Sequence, residues 1–227
     1  MWTDLLIVSL VGGVVAVDTT AAWQVMICRP IVSGPVVGLL LGDLQTGLFM
    51  GALMELLCAG AVPVRAAVFP DSNVASAVAV AMAVKFQPHA NIPHFVILIS
   101  ILYSVPVAFI GSKLIVFMRT INSTLMERAL KFAREGKARG VELQNWLGVI
   151  HSFGRGFVYS GVTLLLGLMG LTKMAGFSLL FGPEFGEIST LSLMALGGAV
   201  VLTIFGSKKT VSFIAVGFIG GILISIL

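Results

Sequence analysis

Short apolar segments, broken by glycine, proline or an acid, are the feature that most constrains the fold of this chain. They fall at residues 5–28, 31–42, 46–62, 73–86, 92–118, 147–174, 175–183, 188–205 and 210–227. A helix needs about 20 apolar residues to cross a bilayer, and several of these segments are shorter. Irregular backbone is tolerated at membrane depth only where protein buries it or where it lines a cavity. The pattern therefore predicts half-spans and re-entrant hairpins in place of a row of complete spans.

The composition places the whole chain, residues 1–227, in one polytopic all-α membrane domain. Its 227 residues are 58% hydrophobic and 11% charged, and the mean hydropathy is +1.06. A soluble domain is about 45–50% apolar and about 25% charged, so this apolar surface calls for lipid around it. The net charge of +4 does not predict nucleic-acid binding, because no face combines basic and aromatic residues.

One polar segment, residues 119–146, separates a first hydrophobic block (1–118) from a second (147–227). It holds six of the chain's 14 basic residues, which predicts that it is cytoplasmic. Thr124 and Glu127 have the spacing of a capping box, so we expect an amphipathic helix to begin there. The segment could dock an acidic partner or lipid headgroups, or it could be a solvated loop that sets topology. The stretches "LLLGDLQTGLFMGALMELLCAG" and "LLFGPEFGEISTLSLMALGGA" are weakly similar. This similarity indicates an inverted repeat or arises by chance.

The stretch "GPVVGLLLGDLQTGLFMGALMELLCAG" carries two acids in apolar sequence. Gly42, Asp43 and Gly47 lie in "GDLQTG", which predicts a turn between two short helices, with Asp43 capping the second. Glu55 has no turn signal beside it, and a carboxylate in that setting is a candidate site residue. Carboxylates bind sugar hydroxyls through strong charge-assisted hydrogen bonds. The alternatives are that Glu55 is protonated or that it pairs with Arg65 or Arg29.

Two further groups of polar residues interrupt the first block. Asp71 and Asn73 follow Pro70, where they either cap a helix or line a helix mouth that receives a polar ligand. Gln24 precedes the pair Arg29-Pro30, and a buried arginine there could neutralise one carboxylate. Cys28 and Cys58 lie in apolar sequence, which favours free thiols. We expect no catalytic residue, metal or cofactor, because no metal-ligand spacing, phosphate loop or nucleophile motif occurs.

"RPIVSGPVVGLLLGDLQTGLFMGALMELLCAG" followed by "FPDSNVAS" resembles the membrane IIC subunit of the mannose/fructose/sorbose family of bacterial sugar phosphotransferase systems. The ordered resemblance covers about residues 24–80. It implies a multi-pass permease of the bacterial inner membrane that takes up a sugar such as a hexose. The permease would be oligomeric and would pair with a IID membrane subunit. Cytoplasmic IIA and IIB subunits would carry the phosphoryl group, and no residue of this chain would be phosphorylated. The resemblance maps sugar-binding residues onto Glu55, Asp71 and Asn73.

The predicted substrate-binding set is completed by Gln24 and Arg65, and the predicted structural set is Asp43, Gly42, Gly47, Arg29 and Pro30. Two other functions fit the same residues. The chain could be a proton- or ion-coupled transporter with Glu55 as the proton site. It could also be a membrane scaffold or receptor held together by glycines spaced four residues apart, which let helices approach closely in lipid: Gly34, Gly38 and Gly42, and Gly47 and Gly51.

Overall fold

A computed structural model describes residues 1–58, 70–86, 93–178 and 195 of the chain. It contains six helices within these ranges: α1 Trp2–Thr20, α2 Pro30–Leu41, α3 Leu44–Cys58, α4 Ser72–Phe86, α5 Pro93–Arg134 and α6 Ala138–Ser178. The segments Trp2–Thr20, Phe95–Arg134 and Ala138–Lys173 are long and apolar enough to cross a membrane. The prediction of an all-helical polytopic membrane protein with short helices is confirmed. The second stretch of the proposed repeat, residues 179–199, lies outside the described residues except for residue 195.

Helices α2 and α3 form a hairpin of two half-spans. They have 12 and 15 residues, about 18 and 22 Å at 1.5 Å per residue, against a hydrocarbon core of about 30 Å. Gly42 ends α2 with φ +92°, a left-handed conformation that glycine adopts without strain. The two backbones touch through glycines: a Cβ on Gly38 would lie 2.6 Å from the Gly47 Cα. The predicted "GDLQTG" turn is therefore the turn of this hairpin.

Helix α4 lies at the centre of the bundle and contacts the other five helices. Every residue from 74 to 84 is buried. Its sequence, "SNVASAVAVAMAVKF", alternates alanine and serine with valine, and such small side chains allow several helices to approach closely where lipid supplies no hydrophobic drive. Buried apolar residues of α1, α2, α3, α5 and α6 pack against it.

Helices α5 and α6 are antiparallel neighbours and much longer than a bilayer is thick. With 42 and 41 residues they measure about 60 Å each. The turn between them lies at residues 135–137, where Gly136 has φ +70°. The basic segment 119–146 is thus the tip of a continuous helical hairpin.

One predicted boundary is wrong. No helix begins at Thr124, because α5 runs uninterrupted through this position and the Thr124 hydroxyl donates to the Ile121 carbonyl, 2.7 Å away. The apolar segment 5–28 is interrupted: α1 ends at Thr20, and the chain then turns through Trp23, Gln24 and Met26 with positive φ.

Candidate functional site

A cavity of about 460 Å³ opens where short helices end, and we call it the polar cavity because several charged and amide side chains stand in its largely apolar wall. It is bounded by the end of α1, the connection 21–29, the start of α2, the end of α3, the start of α4 and the middle of α5. Its walls include the side chains of Asp18, Gln24, Arg29, Glu55, Asp71 and Asn73. A cavity of this size lies within the range of small-molecule sites, which combine an apolar lining with a few placed polar groups.

Glu55 lies in this cavity and is held from two directions. Its Oε1 forms an ion pair with Arg29 Nη2, and its Oε2 accepts the Ile31 N–H at 3.3 Å. Arg29 is the N-cap residue of α2 and Pro30 is the first helical residue, so the carboxylate meets the positive end of α2. Of the two arginines expected as its partner, Arg29 forms the pair, whereas Arg65 lies outside the described residues.

Asp71 is buried and joins three elements. Its Oδ1 accepts the Val74 N–H at 3.4 Å at the start of α4, and its own N–H donates to the Ala108 carbonyl of α5 at 2.8 Å. Its Oδ2 forms a 2.7 Å ion pair with Arg155 of α6, the two side chains being 1% and 5% exposed. Helix α5 comes close because residue 111 is glycine: a Cβ there would lie 2.8 Å from the Asp71 Cβ.

Asn73 and Gln24 complete the polar wall on the side of α1. Asn73 Nδ2 donates to the Thr19 hydroxyl at 3.2 Å, which ties the start of α4 to the end of α1. Gln24 has φ +52° in the connection after α1. The structure thus brings Glu55, Asp71, Asn73, Gln24 and Arg29 around one cavity.

Asp18 is a residue of this cavity that the sequence patterns did not single out. It is 1% exposed, and its two carboxylate oxygens accept the N–H groups of Val25 and Cys28, each at 2.8 Å. The carboxylate therefore closes the connection 21–29 against α1. The only signal in the sequence is an acid in the last turn of an apolar helix, where an acid is unfavourable unless it receives donors.

The turn residues lie apart from the cavity. Asp43 Oδ1 accepts the Thr46 N–H at 3.0 Å and Oδ2 accepts the Thr46 hydroxyl at 2.5 Å. Because Asp43 and Glu55 stand at opposite ends of α3, about 18 Å separates them along the helix axis. Gly42 and Gly47 are also placed at the hairpin turn, so this group shapes the hairpin and leaves the cavity to the other polar residues.

Both thiols, Cys28 and Cys58, are free and line the cavity. Burial raises the pKa of the Cys28 thiol to about 11, and its hydrogen bond with Asp18 adds to this rise. The Cys28 thiol therefore stays protonated to a higher pH than an ordinary thiol does.

The lining offers carboxylate, amide and guanidinium groups side by side. These groups accept and donate hydrogen bonds to a neutral solute rich in hydroxyls, and charged partners make the stronger bonds. Short helices that end at a polar cavity within a membrane bundle are the arrangement that transporters use for solute sites. The fold and the cavity together define a membrane transport protein.

The family model for the sorbose-specific IIC component of the phosphotransferase system matches residues 2–226. The chain belongs to this family. It is 33% identical to the sorbose-specific EIIC component of Klebsiella pneumoniae over 199 residues, which cover 85% of this chain and 70% of that protein. It is 27% identical to the fructose permease IIC component of Bacillus subtilis over 198 residues, which cover 87% and 67%.

Solved structures share the fold. A structure described as a membrane protein aligns with a TM-score of 0.70 and 20% identity over 97% of this chain and 87% of its own. The cryo-EM structure of the mannose transporter ManYZ with microcin E492 aligns with a TM-score of 0.63 and 21% identity, over 97% and 86%. The chain is thus a IIC-type membrane component of a sugar phosphotransferase system.

Proposed function

We propose that this chain binds a sugar, a hexose in the first instance, in the polar cavity and delivers it across the bacterial inner membrane for phosphorylation by a IIB partner. The observation that carries the proposal is the arrangement of Glu55, Asp71 and Asn73 around one cavity at the ends of short helices. In this proposal Glu55 accepts hydrogen bonds from sugar hydroxyls while Arg29 keeps the carboxylate in place. Gln24 and Asn73 provide amide groups that both donate and accept.

The proposed assembly includes a IID membrane subunit and cytoplasmic IIA and IIB subunits. Support comes from the family and from the relatives, which are named as sorbose and fructose permease components. The mannose transporter whose fold this chain shares carries a two-part name, ManYZ. The basic hairpin tip, residues 119–146, fits a cytoplasmic side by the positive-inside rule.

The test is uptake of radiolabelled sorbose, fructose and mannose in cells that supply the IIA, IIB and IID subunits. Glu55→Gln keeps the size of the side chain but removes the charge that pairs with Arg29, so we expect uptake to fall at least about tenfold. Glu127→Gln is the matched control, since Glu127 is exposed on α5 and does not line the cavity.

Two results would redirect the proposal. Uptake that a protonophore abolishes and that continues without phosphoenolpyruvate would assign the chain to proton-coupled transport. Stable assembly with partners, without uptake of any of the three sugars, would assign it a scaffold role.

A further inference from the structure

A second, smaller cavity continues from the polar cavity toward the basic hairpin tip. Its volume is about 210 Å³, and it is lined by residues of α1, α5 and α6. Thr19, Thr20, Ile115 and Arg119 line both cavities, so the two spaces share a wall. At about 30 Å³ of liquid volume per water molecule, the smaller cavity has room for a group of several heavy atoms.

Two arginines line the smaller cavity. Arg155 uses Nη1 for its ion pair with Asp71, but its buried Nη2 has no hydrogen-bond partner among the described residues. Arg119 is exposed on α5 and forms no ion pair within the described part of the chain. A guanidinium donor left unpaired in a buried place is costly, and this cost disappears when an acceptor reaches it.

No neighbouring group among the described residues supplies a hydrogen-bond acceptor to Arg155 Nη2, so a ligand would have to supply it. The hydroxyls of Thr20 and Ser152 both contact the Ala16 carbonyl, at 2.8 and 3.0 Å, and lie 2.8 Å from each other. Asp71, the nearest carboxylate, already faces Arg155 Nη1, and Asp18 is occupied by two backbone N–H groups. The lining of the smaller cavity itself contains no acid, while Asn122 adds an amide.

We propose that this smaller cavity binds a phosphoryl group, with Arg119 and Arg155 as its donors. Arginine forks match the oxygens of phosphate better than any other side chain. Because the cavity adjoins the proposed sugar site, the phosphoryl group it takes is that of a sugar phosphate whose sugar ring lies in the polar cavity. This assignment of the ligand rests on the proposed function, whereas the anion site itself does not.

The test measures binding to the purified full-length chain in phosphatidylcholine nanodiscs by calorimetry. The probes are mannose 6-phosphate, fructose 6-phosphate, inorganic phosphate, and the two free sugars. Arg119→Gln is expected to weaken binding of the phosphate esters about tenfold more than it weakens binding of the free sugars, because only the esters carry the phosphoryl group that Arg119 would bind. Arg128→Gln is the control, since Arg128 is exposed on the same helix and lines neither cavity.

Arg155→Lys is the second variant, because a lysine keeps a positive charge for Asp71 but lacks the second donor of the fork. It is expected to weaken ester binding while the melting temperature stays close to that of the Arg128→Gln protein. Esters that bind wild type and Arg119→Gln equally would overturn the proposal. So would free sugars that bind wild type while neither the esters nor phosphate do, a result that leaves the proposed transport function standing.

Two further outcomes separate the ligand sources. If phosphate binds through Arg119 but no sugar or ester does, the anion site stands and the proposed transport function fails. The second outcome has two parts: phosphate binding in phosphatidylcholine nanodiscs depends on Arg119, and ester binding is lost in nanodiscs that contain phosphatidylglycerol. In that case the site binds a lipid headgroup, and the sugar-phosphate assignment is overturned.

Discussion

Asp71 and Arg155 are separated by 84 positions in the sequence and form a buried ion pair of 2.7 Å that joins α4 to α6. Asp71 also caps α4 and bonds the backbone of α5. One carboxylate therefore fixes three helices beside the polar cavity. Such a pair fixes the relative positions of the helices more than it stabilises the fold, because the cost of desolvating two charges offsets much of their attraction.

Breaking this pair from the arginine side is expected to destabilise the protein strongly. Arg155→Met leaves Asp71 buried without a counter-charge, a loss of about 3–5 kcal/mol in comparable buried pairs. The double variant Asp71→Asn/Arg155→Met should be more stable than Arg155→Met alone, since Asn still caps α4 and no charge remains. Thermal unfolding in detergent, followed by size-exclusion fluorescence, checks the order. A double variant less stable than the single one would contradict the account.

The glycine seam of the α2–α3 hairpin should not tolerate a methyl group. A Cβ on Gly47 would lie 2.7 Å from the Gly38 Cα and 2.8 Å from the Gly34 carbonyl oxygen, both backbone atoms that cannot move aside. Gly47→Ala is therefore expected to separate the helices and lower the melting temperature, by an overpacking cost of about 1–3 kcal/mol.

Gly154→Ala is the matched control for the seam. A Cβ on Gly154 meets nothing within 4 Å, and Ala exceeds Gly in helix propensity by about 1 kcal/mol. The control variant should melt at or above the wild-type temperature in the same detergent. Equal melting temperatures for Gly47→Ala and Gly154→Ala would show that the seam is looser than these distances imply.

The sequence predicted the parts of the site that rest on local chemistry. "GDLQTG" specified a turn because glycine and aspartate favour one whatever surrounds them, and the helix after Pro70 began where expected. The sequence offered both Arg29 and Arg65 as ion-pair partners of Glu55 and could not decide between them. Hydropathy holds no information on which short helices meet.

Long-range partners were beyond the reach of local patterns. Arg155 lies inside an apolar helix next to a basic segment, so its reach to Asp71 depends on how α6 packs against α4. Asp18 looked like one more acid in an apolar run, since its role follows from the backbone path of residues 21–29. The predicted capping box at Thr124 is wrong because α5 continues through this position, so the backbone N–H groups there already have partners within the helix.

Modification of Cys28 should increase with pH beyond the range of an ordinary thiol. Burial raises its pKa to about 11, and the thiolate is the reacting form. In a Cys58→Ser background, the rate of reaction with methyl methanethiosulfonate should still climb about tenfold between pH 9 and pH 10. A cysteine placed at the exposed Lys137 position, with Cys28 and Cys58 both replaced by serine, should level off near pH 9. A Cys28 profile that levels off with that control would contradict the burial.

Asp18 should determine the shape of the connection that carries Gln24 and Arg29 to the cavity. Three non-glycine residues of this connection, Trp23, Gln24 and Met26, have φ between +52° and +68°. Such conformations cost of order 1–3 kcal/mol each and persist only where the surroundings hold them. The two 2.8 Å bonds to Asp18 are the restraint.

Asp18→Asn removes the charge and replaces one acceptor by an N–H donor that opposes a backbone N–H. We expect faster hydrogen exchange at residues 21–29 and a KM for sugar uptake raised about tenfold, with a smaller change in the maximal rate. Asp4→Asn is the control, because Asp4 pairs with Lys85 near the other end of α1. If exchange at 21–29 is the same in both variants, the connection keeps its shape without Asp18, and its strain must be supported by other contacts.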